Sequence, residues 1–149
     1  MTRRPVITLI TDFGLRDPYV GAVKARLIEG CPQARWIDLT HDVPPGDRRG
    51  AAFVLGANWK AFPAGTTHLT VVDPGVGTAR RALALRAGGH RFVGPDNGVF
   101  DALVDLAEEI VQLDAERVVG PRRADTISPT FHGRDLFAPA AAKLAQGVA

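Results

Sequence analysis

The stretch VVDPGVGTARR, residues 71–81, sets one carboxylate and two guanidinium groups about a loop's width apart. Asp73 ends an apolar run, Pro74 and two glycines turn the chain, and Arg80 and Arg81 close the loop. Glycine lets a backbone approach a ligand closely. An arginine in such a loop can stabilise an anion but cannot take a proton from it, because the guanidinium stays charged. A proton acceptor is on offer in His132, inside TFHGRD, since histidine titrates near neutrality. Asp12 stands where another apolar run stops, in TDFG, while His41 and Asp42 follow a third and Asp96 and Asn97 end a fourth, in GPDNG. Groups of these types suit acid–base chemistry and the binding of a polar ligand. Each also has a plainer use. Asp12 and Asp73 are common turn residues, Asp96-Asn97-Gly98 is a turn signal, and one of Arg80 and Arg81 belongs on the surface. For His41 the plainer use, a loop histidine bonded to backbone, is the stronger.

The elements that must position these groups alternate in type. PVITLIT is an unbroken apolar run that stops at Asp12, as expected of a strand buried on both faces in a parallel sheet. In RDPYVGAVKARLIEGCP, Asp17 is placed to cap a helix, Pro18 suits its first position, and Gly30 and Pro32 end it. Val20, Val23, Leu27 and Ile28 are expected on its inner face. ARWIDLT predicts a second strand. Asp47 then caps a second helix running to Phe62, with Ala51, Leu55 and Trp59 as its buried stripe. THLTVV is a third strand, RALALRA and HRFVGP form a hairpin about Gly88-Gly89, GVFDALVDLA is a short helix, and EIVQLD is another strand. Residues 117–129 read as a loop, and the chain closes with a turn feeding an alanine-rich helix. This rhythm predicts an α/β fold in three layers, a mainly parallel central sheet with helices on both faces. In such sheets ligands gather outside the carboxyl ends of the strands, where Asp12, His41, Asp42 and Asp73 fall.

Composition removes several functions. At 149 residues, 46% hydrophobic and 23% charged, the chain has the makings of one globular domain with a real core. A net charge of +2 without a dense basic run argues against nucleic-acid binding. No apolar run approaches the ~18 residues of a membrane span and no signal-peptide pattern appears, so a cytoplasmic protein is expected. Cys31 is the one cysteine, which excludes an internal disulfide and a cysteine-based zinc site. The Asp and His spacings match no metal-ligand motif, and neither a phosphate-binding glycine loop nor a dinucleotide fingerprint is present. Ser128 is the sole serine and lacks the turn of a nucleophile. No metal and no cofactor are expected.

TDFG, VVDPGVGT followed by an arginine, FVGPDNG and TFHGRDLFAPAAA, in that order, resemble the S-adenosyl-L-methionine hydroxide adenosyltransferase family, the SAM hydrolases, relatives of fluorinases and chlorinases. The resemblance spans essentially all of residues 1–149 and corresponds to the amino-terminal domain, with the family's carboxy-terminal domain absent from this sequence. It implies hydrolysis of S-adenosyl-L-methionine to adenosine and L-methionine, with Asp12 on the ribose hydroxyls and Asp73, Arg80 and His132 activating water. Asn97 is implied as a substrate-binding or supporting residue near the site. The halogenating relatives carry aromatic residues in place of Asp73 and His132, so the resemblance implies a water user and not a halide user. A homo-oligomer is implied, a trimer with sites between one subunit's amino-terminal domain and the next subunit's carboxy-terminal domain. Sequence leaves open which of Asp73 and His132 is the base. It also leaves open a nucleoside-binding or assembly module without turnover, and, more remotely, a metal-dependent phosphoesterase.

Overall fold

A computed structural model describes residues 3–148. Its six-stranded sheet has the order β2-β1-β3-β5-β4-β6, with β1 Val6–Thr11, β2 Arg35–Thr40, β3 Thr67–Val71, β4 Ala82–Ala87, β5 His90–Pro95 and β6 Ala107–Gln112. Strands β2, β1, β3 and β5 run parallel, while β4 and β6 add antiparallel pairs at one side. Residues 7–11 of β1 are no more than 1% exposed, the both-face burial that its unbroken apolar run requires.

Helices cover both faces. On one, α1 (Tyr19–Gly30) and α6 (Ala138–Ala145) pack Val23, Leu27 and a row of alanines over Ile7, Leu9, Leu69 and Val71. On the other, α2 (Arg48–Asn58) and the short α3 (Asp101–Val104) press Ala51, Leu55 and Leu103 onto Ile10, Leu85 and Phe92. Small residues bring α1 and α6 together so closely that a Cβ on Gly30 would overlap Ala142. Asp47 caps α2, accepting from Gly50 N at 2.9 Å, and a 3₁₀ turn at Trp59–Ala61 extends that helix as its apolar stripe predicts. Among the described residues no helix is long and apolar enough to cross a membrane.

Three local expectations fail. Asp17 does not cap α1: the helix begins at Tyr19 behind Pro18, and no side chain caps it. Ile28 is half-exposed, since it lies a further 100° around the helix from Leu27 and the sheet reaches only to Val20, Val23 and Leu27. Residues 117–129 are not all loop. Asp114 accepts from the amides of Glu116 and Arg117 to start α4 (Ala115–Val119), and Gly120, at φ 84°, breaks it from α5 (Pro121–Ala124). Cys31 is buried at the end of α1, in keeping with a small packed residue.

Two histidines lie inside the sheet and its covering helix. His68 Nδ1 shares a 2.7 Å hydrogen bond with the Thr8 hydroxyl and its Nε2 lies 3.1 Å from His90 Nδ1, with Trp59, Phe62 and Phe92 around them. Burial, reinforced by His90, pushes His68 down to about 3, and burial lowers His90 as well. The unfolded chain therefore binds protons below ~6.5 that the folded chain refuses, and stability, complete above that pH, drains away as pH falls toward about 3. Urea unfolding at a series of pH values is expected to reveal this loss between pH 6.5 and 4. In His68→Gln the slope should drop by one proton's worth, ~1.4 kcal/mol per pH unit; an unchanged slope would assign the acid loss to other groups, His90 or the carboxylates.

Candidate active site

Strands β1 and β3 are parallel neighbours with Thr11 opposite Val71, so the residues that follow them emerge side by side at the carboxyl edge of the sheet. Asp12 and Asp73 both line a cleft of about 250 Å³ there, and His132 closes it from the turn before α6. That turn, Gly133–Phe137, is wound as one π-helical turn, a geometry that often accompanies function. Two glycines allow the three segments to meet. A Cβ on Gly77, at φ 77°, would run into the Pro129 carbonyl oxygen, and one on Gly133 would sit 3.2 Å from the Phe13 ring.

Arg80 joins the acid to the histidine. Its Nε donates to Asp73 Oδ1 at 2.9 Å and to Oδ2 at 3.1 Å, and its Nη2 donates both to Asp73 Oδ2 and to His132 Nδ1, the latter at 2.8 Å. The pair is shielded, with side chains 11% and 5% exposed for Arg80 and Asp73. Arg80 is absent from the cleft wall and lies behind it, its guanidinium 5.3 Å from the centre of the Phe137 ring. Because arginine only donates, His132 Nδ1 accepts, and the neutral ring carries its proton on Nε2. Burial lowers the His132 pKa and the Arg80 charge lowers it further, against the pull of Asp73 and Asp135. The imidazole is thus held neutral.

Asp12 Oδ2 accepts from Gly46 N at 2.8 Å, and its Oδ1 has no hydrogen-bond partner among the described residues. A carboxylate fixed through one oxygen and open through the other can take a pair of ligand hydroxyls. Arg81, the neighbour of Arg80, turns outward to Asp96. Asp42 is exposed and off the cleft, and His41 is buried between Thr11 and Asp38. Asn97 is not among the residues that line the cleft. Its amide donates to the Val72 carbonyl at 2.8 Å, and its Oδ1 accepts from Val99 N, so it clamps the end of β3 just ahead of Asp73.

A family model described as the SAM hydroxide adenosyltransferase N-terminal domain matches residues 7–149. The chain belongs to that family. It is 49% identical to an (R)-S-adenosyl-L-methionine hydrolase of Salinispora arenicola, over 99% of this chain and 56% of the relative. A fluorinase of Nocardia brasiliensis is more distant, 28% identical over 97% of this chain and 55% of that protein. A crystal structure of an uncharacterized conserved protein from Thermotoga maritima superposes with a TM-score of 0.88 at 40% identity, covering 96% of this chain and 55% of that one. The chain spans about half the length of the relatives it matches.

Within this member of the family the cleft has a wall that polar motifs do not announce. Phe13, Tyr19 and Phe131 pack edge to face and tilted, with ring centroids 5.2 to 6.2 Å apart, and all three line the cleft. Phe13 and Phe131 directly follow or precede the polar site residues in TDFG and TFHG, which is the one sequence signal that marks them. Among the described residues no group of three or more His, Cys, Asp or Glu side chains is arranged to hold a metal ion.

The Arg80 bridge makes a direct prediction about His132. Replacing Arg80 by Gln removes a cation that disfavours imidazolium and leaves Asp73 free to attract it, so His132 should titrate at higher pH than in the wild type. NMR titration of the His132 ring checks this. An unchanged or lower value would mean that Arg80 does not govern the ring.

Proposed function

We propose that this chain supplies the water-activating wall of a site that hydrolyses S-adenosyl-L-methionine to adenosine and L-methionine. The observation that carries the proposal is that Asp73 and His132 line the same cleft as Asp12 and are joined to each other by Arg80 from behind its wall. The ribose hydroxyls of the adenosyl group bind the open oxygen of Asp12, and a water sits between Asp73 and His132 in line with the C5′–sulfur bond. One lone pair of that water accepts from His132 Nε2–H while the other attacks C5′. The C5′–S bond breaks with its electron pair moving to sulfur, which leaves as a neutral thioether. The oxygen bound to C5′ becomes strongly acidic as the bond forms, and its proton passes to the Asp73 carboxylate and on to solvent.

Proton acceptance goes to Asp73 because the acceptor nitrogen of neutral His132 is already engaged by Arg80. A carboxylate retains lone pairs beyond those an arginine occupies. A weak base suffices when the group it deprotonates turns acidic in the transition state. Displacement of a sulfonium disperses charge, so a pocket poor in water favours it. The phenylalanine and tyrosine rings contribute that dryness.

A cleft of about 250 Å³ is smaller than the ~300–1,000 Å³ usual for small-molecule sites, so these residues embrace only part of such a substrate. That size favours a second reading, in which the chain binds the adenosyl group without turnover. In the homotrimer implied by the resemblance, a neighbouring subunit supplies the rest of the wall; a cytoplasmic location fits the substrate.

Single-turnover hydrolysis of S-adenosyl-L-methionine separates these roles. Asp73→Asn is expected to slow the chemical step by ~10²–10⁴, the usual worth of a general base. His132→Gln, which can keep a donor near the Nε2 position, should retain more activity than His132→Ala, and Asp12→Ala should act chiefly through KM. The wild-type rate should hold its plateau below the ordinary histidine value of ~6.5, because His132 is harder to protonate than a free histidine. If His132→Gln is as slow as His132→Ala while Asp73→Asn is nearly unaffected, His132 is the base. Adenosine binding with no detectable turnover would establish the second reading for this chain.

A further inference from the structure

His41 lies outside the water-activating group, yet it is 4% exposed and every polar atom of its ring is engaged. Its Nδ1 meets the Thr11 hydroxyl at 2.7 Å and its Nε2 meets Asp38 Oδ1 at 2.8 Å, while Asp38 Oδ2 accepts from Lys24 Nζ at 2.8 Å. The protons can be assigned one after another. Asp38, when ionised, only accepts, so His41 carries a hydrogen on Nε2 and donates it there. In the neutral ring Nδ1 is then the acceptor and the Thr11 hydroxyl donates to it, while Thr11 Oγ1 keeps a lone pair for Phe13 N, which donates to it at 3.2 Å. A single tautomer satisfies the whole chain from Lys24 to the Phe13 amide.

The chain ends on both sides of Asp12. Thr11 precedes Asp12 and Phe13 follows it, and the next amide, Gly14 N, donates to the His41 carbonyl at 2.7 Å. The loop that His41 opens returns at Gly46, whose amide holds Asp12 Oδ2. The register of β1 against β2 shifts between Leu9 and Ile10, so that Leu9 faces Asp38 and Ile10 faces Thr40. A bulge of this kind re-aims side chains next to a site, and here it falls among the residues that carry Asp38 and His41.

From this geometry we infer that His41 and Thr11 are positioning residues for Asp12, with Asp38 orienting the ring: together they set the angle at which the Asp12 carboxylate meets the ribose diol. The inference rests on Asp12 as the ribose contact. Hydrogen bonds to a carboxylate-bearing backbone act on ligand affinity and leave the chemical step to Asp73 and His132.

Adenosine titrated into the full chain and followed by NMR, with thermal melts of each variant, tests the inference. Thr11→Val removes the hydroxyl at constant shape, and His41→Gln keeps reach toward Asp38 but gives up Thr11. Each is expected to weaken adenosine by about tenfold. Thr11→Ser and His41→Asn, whose amide oxygen occupies roughly the place of Nδ1, should stay within about threefold of the wild type. The double variant Thr11→Val/His41→Gln should bind no more weakly than either single variant, because both break one chain of bonds. Melting points that fall while affinity stays at the wild-type value would overturn the positioning role and leave a stabilising one. Additive losses in the double variant would overturn the shared chain. Asp12→Ala separates the two levels: if it binds adenosine as the wild type does, or the wild type binds none, the ribose contact itself fails. If Asp12→Ala weakens binding and the Thr11 and His41 variants do not, only the positioning role fails.

Discussion

The Arg80 guanidinium is the one group whose removal would undo the rest of the site. It comes from the far end of the loop after β3 and forks onto Asp73 and His132, which lie 59 residues apart in sequence. Without it Asp73 would be a shielded, unpaired carboxylate and His132 an imidazole with no fixed tautomer. A shielded charge that loses its partner costs several kcal/mol, on the order of 3–5 for a well-buried pair. The proposed reaction and local stability therefore depend on the same bonds, and the fold around them reads as the means of bringing that arginine home.

The sheet does this through register. Parallel pairing of β1 with β3 puts Thr11 beside Val71, and so delivers Asp12 and Asp73 to one edge. Loops then complete what the strands begin: Gly77 passes under Pro129, and Gly133 lies against Phe13 and Val71. Each close approach joins a different pair of site segments. A side chain at either of them would separate groups that must stay within hydrogen-bond reach.

Much of this could be read from residue order, because buried parallel strands, capped helices and glycine turns each leave a local mark. PVITLIT, the cap at Asp47 and the turn at Gly88-Gly89 all behave as their residues demand. The departures share a cause: they depend on what packs from elsewhere. Asp17 has the right residue type for a cap, but Pro18 at the cap position carries the chain into α1 without it. Ile28 is apolar, but the sheet runs out beneath it. Resemblance and residue type suggest mutual roles for Asp73, Arg80 and His132, whereas the direction of each hydrogen bond belongs to tertiary geometry. Asn97 illustrates the same limit, since an amide in a turn beside a site can clamp backbone as readily as ligand.

The histidines carry the clearest instance of geometry deciding chemistry. His41 and His68 each meet a threonine hydroxyl at Nδ1, at 2.7 Å in both cases, and each ring is enclosed by structure. His132 receives a cation there instead. A neutral donor fixes a tautomer and little else, but a guanidinium also draws electron density across the ring. The Nε2–H of such a ring is a stronger donor and its nitrogen lone pair a poorer base than in the other two. The same substitution of partner that keeps His132 from collecting a proton makes it better at holding an oxygen that is losing one. In the proposed reaction the site thereby separates the two tasks that a lone histidine would have to perform in turn, donating through the ring and accepting through the carboxylate beside it.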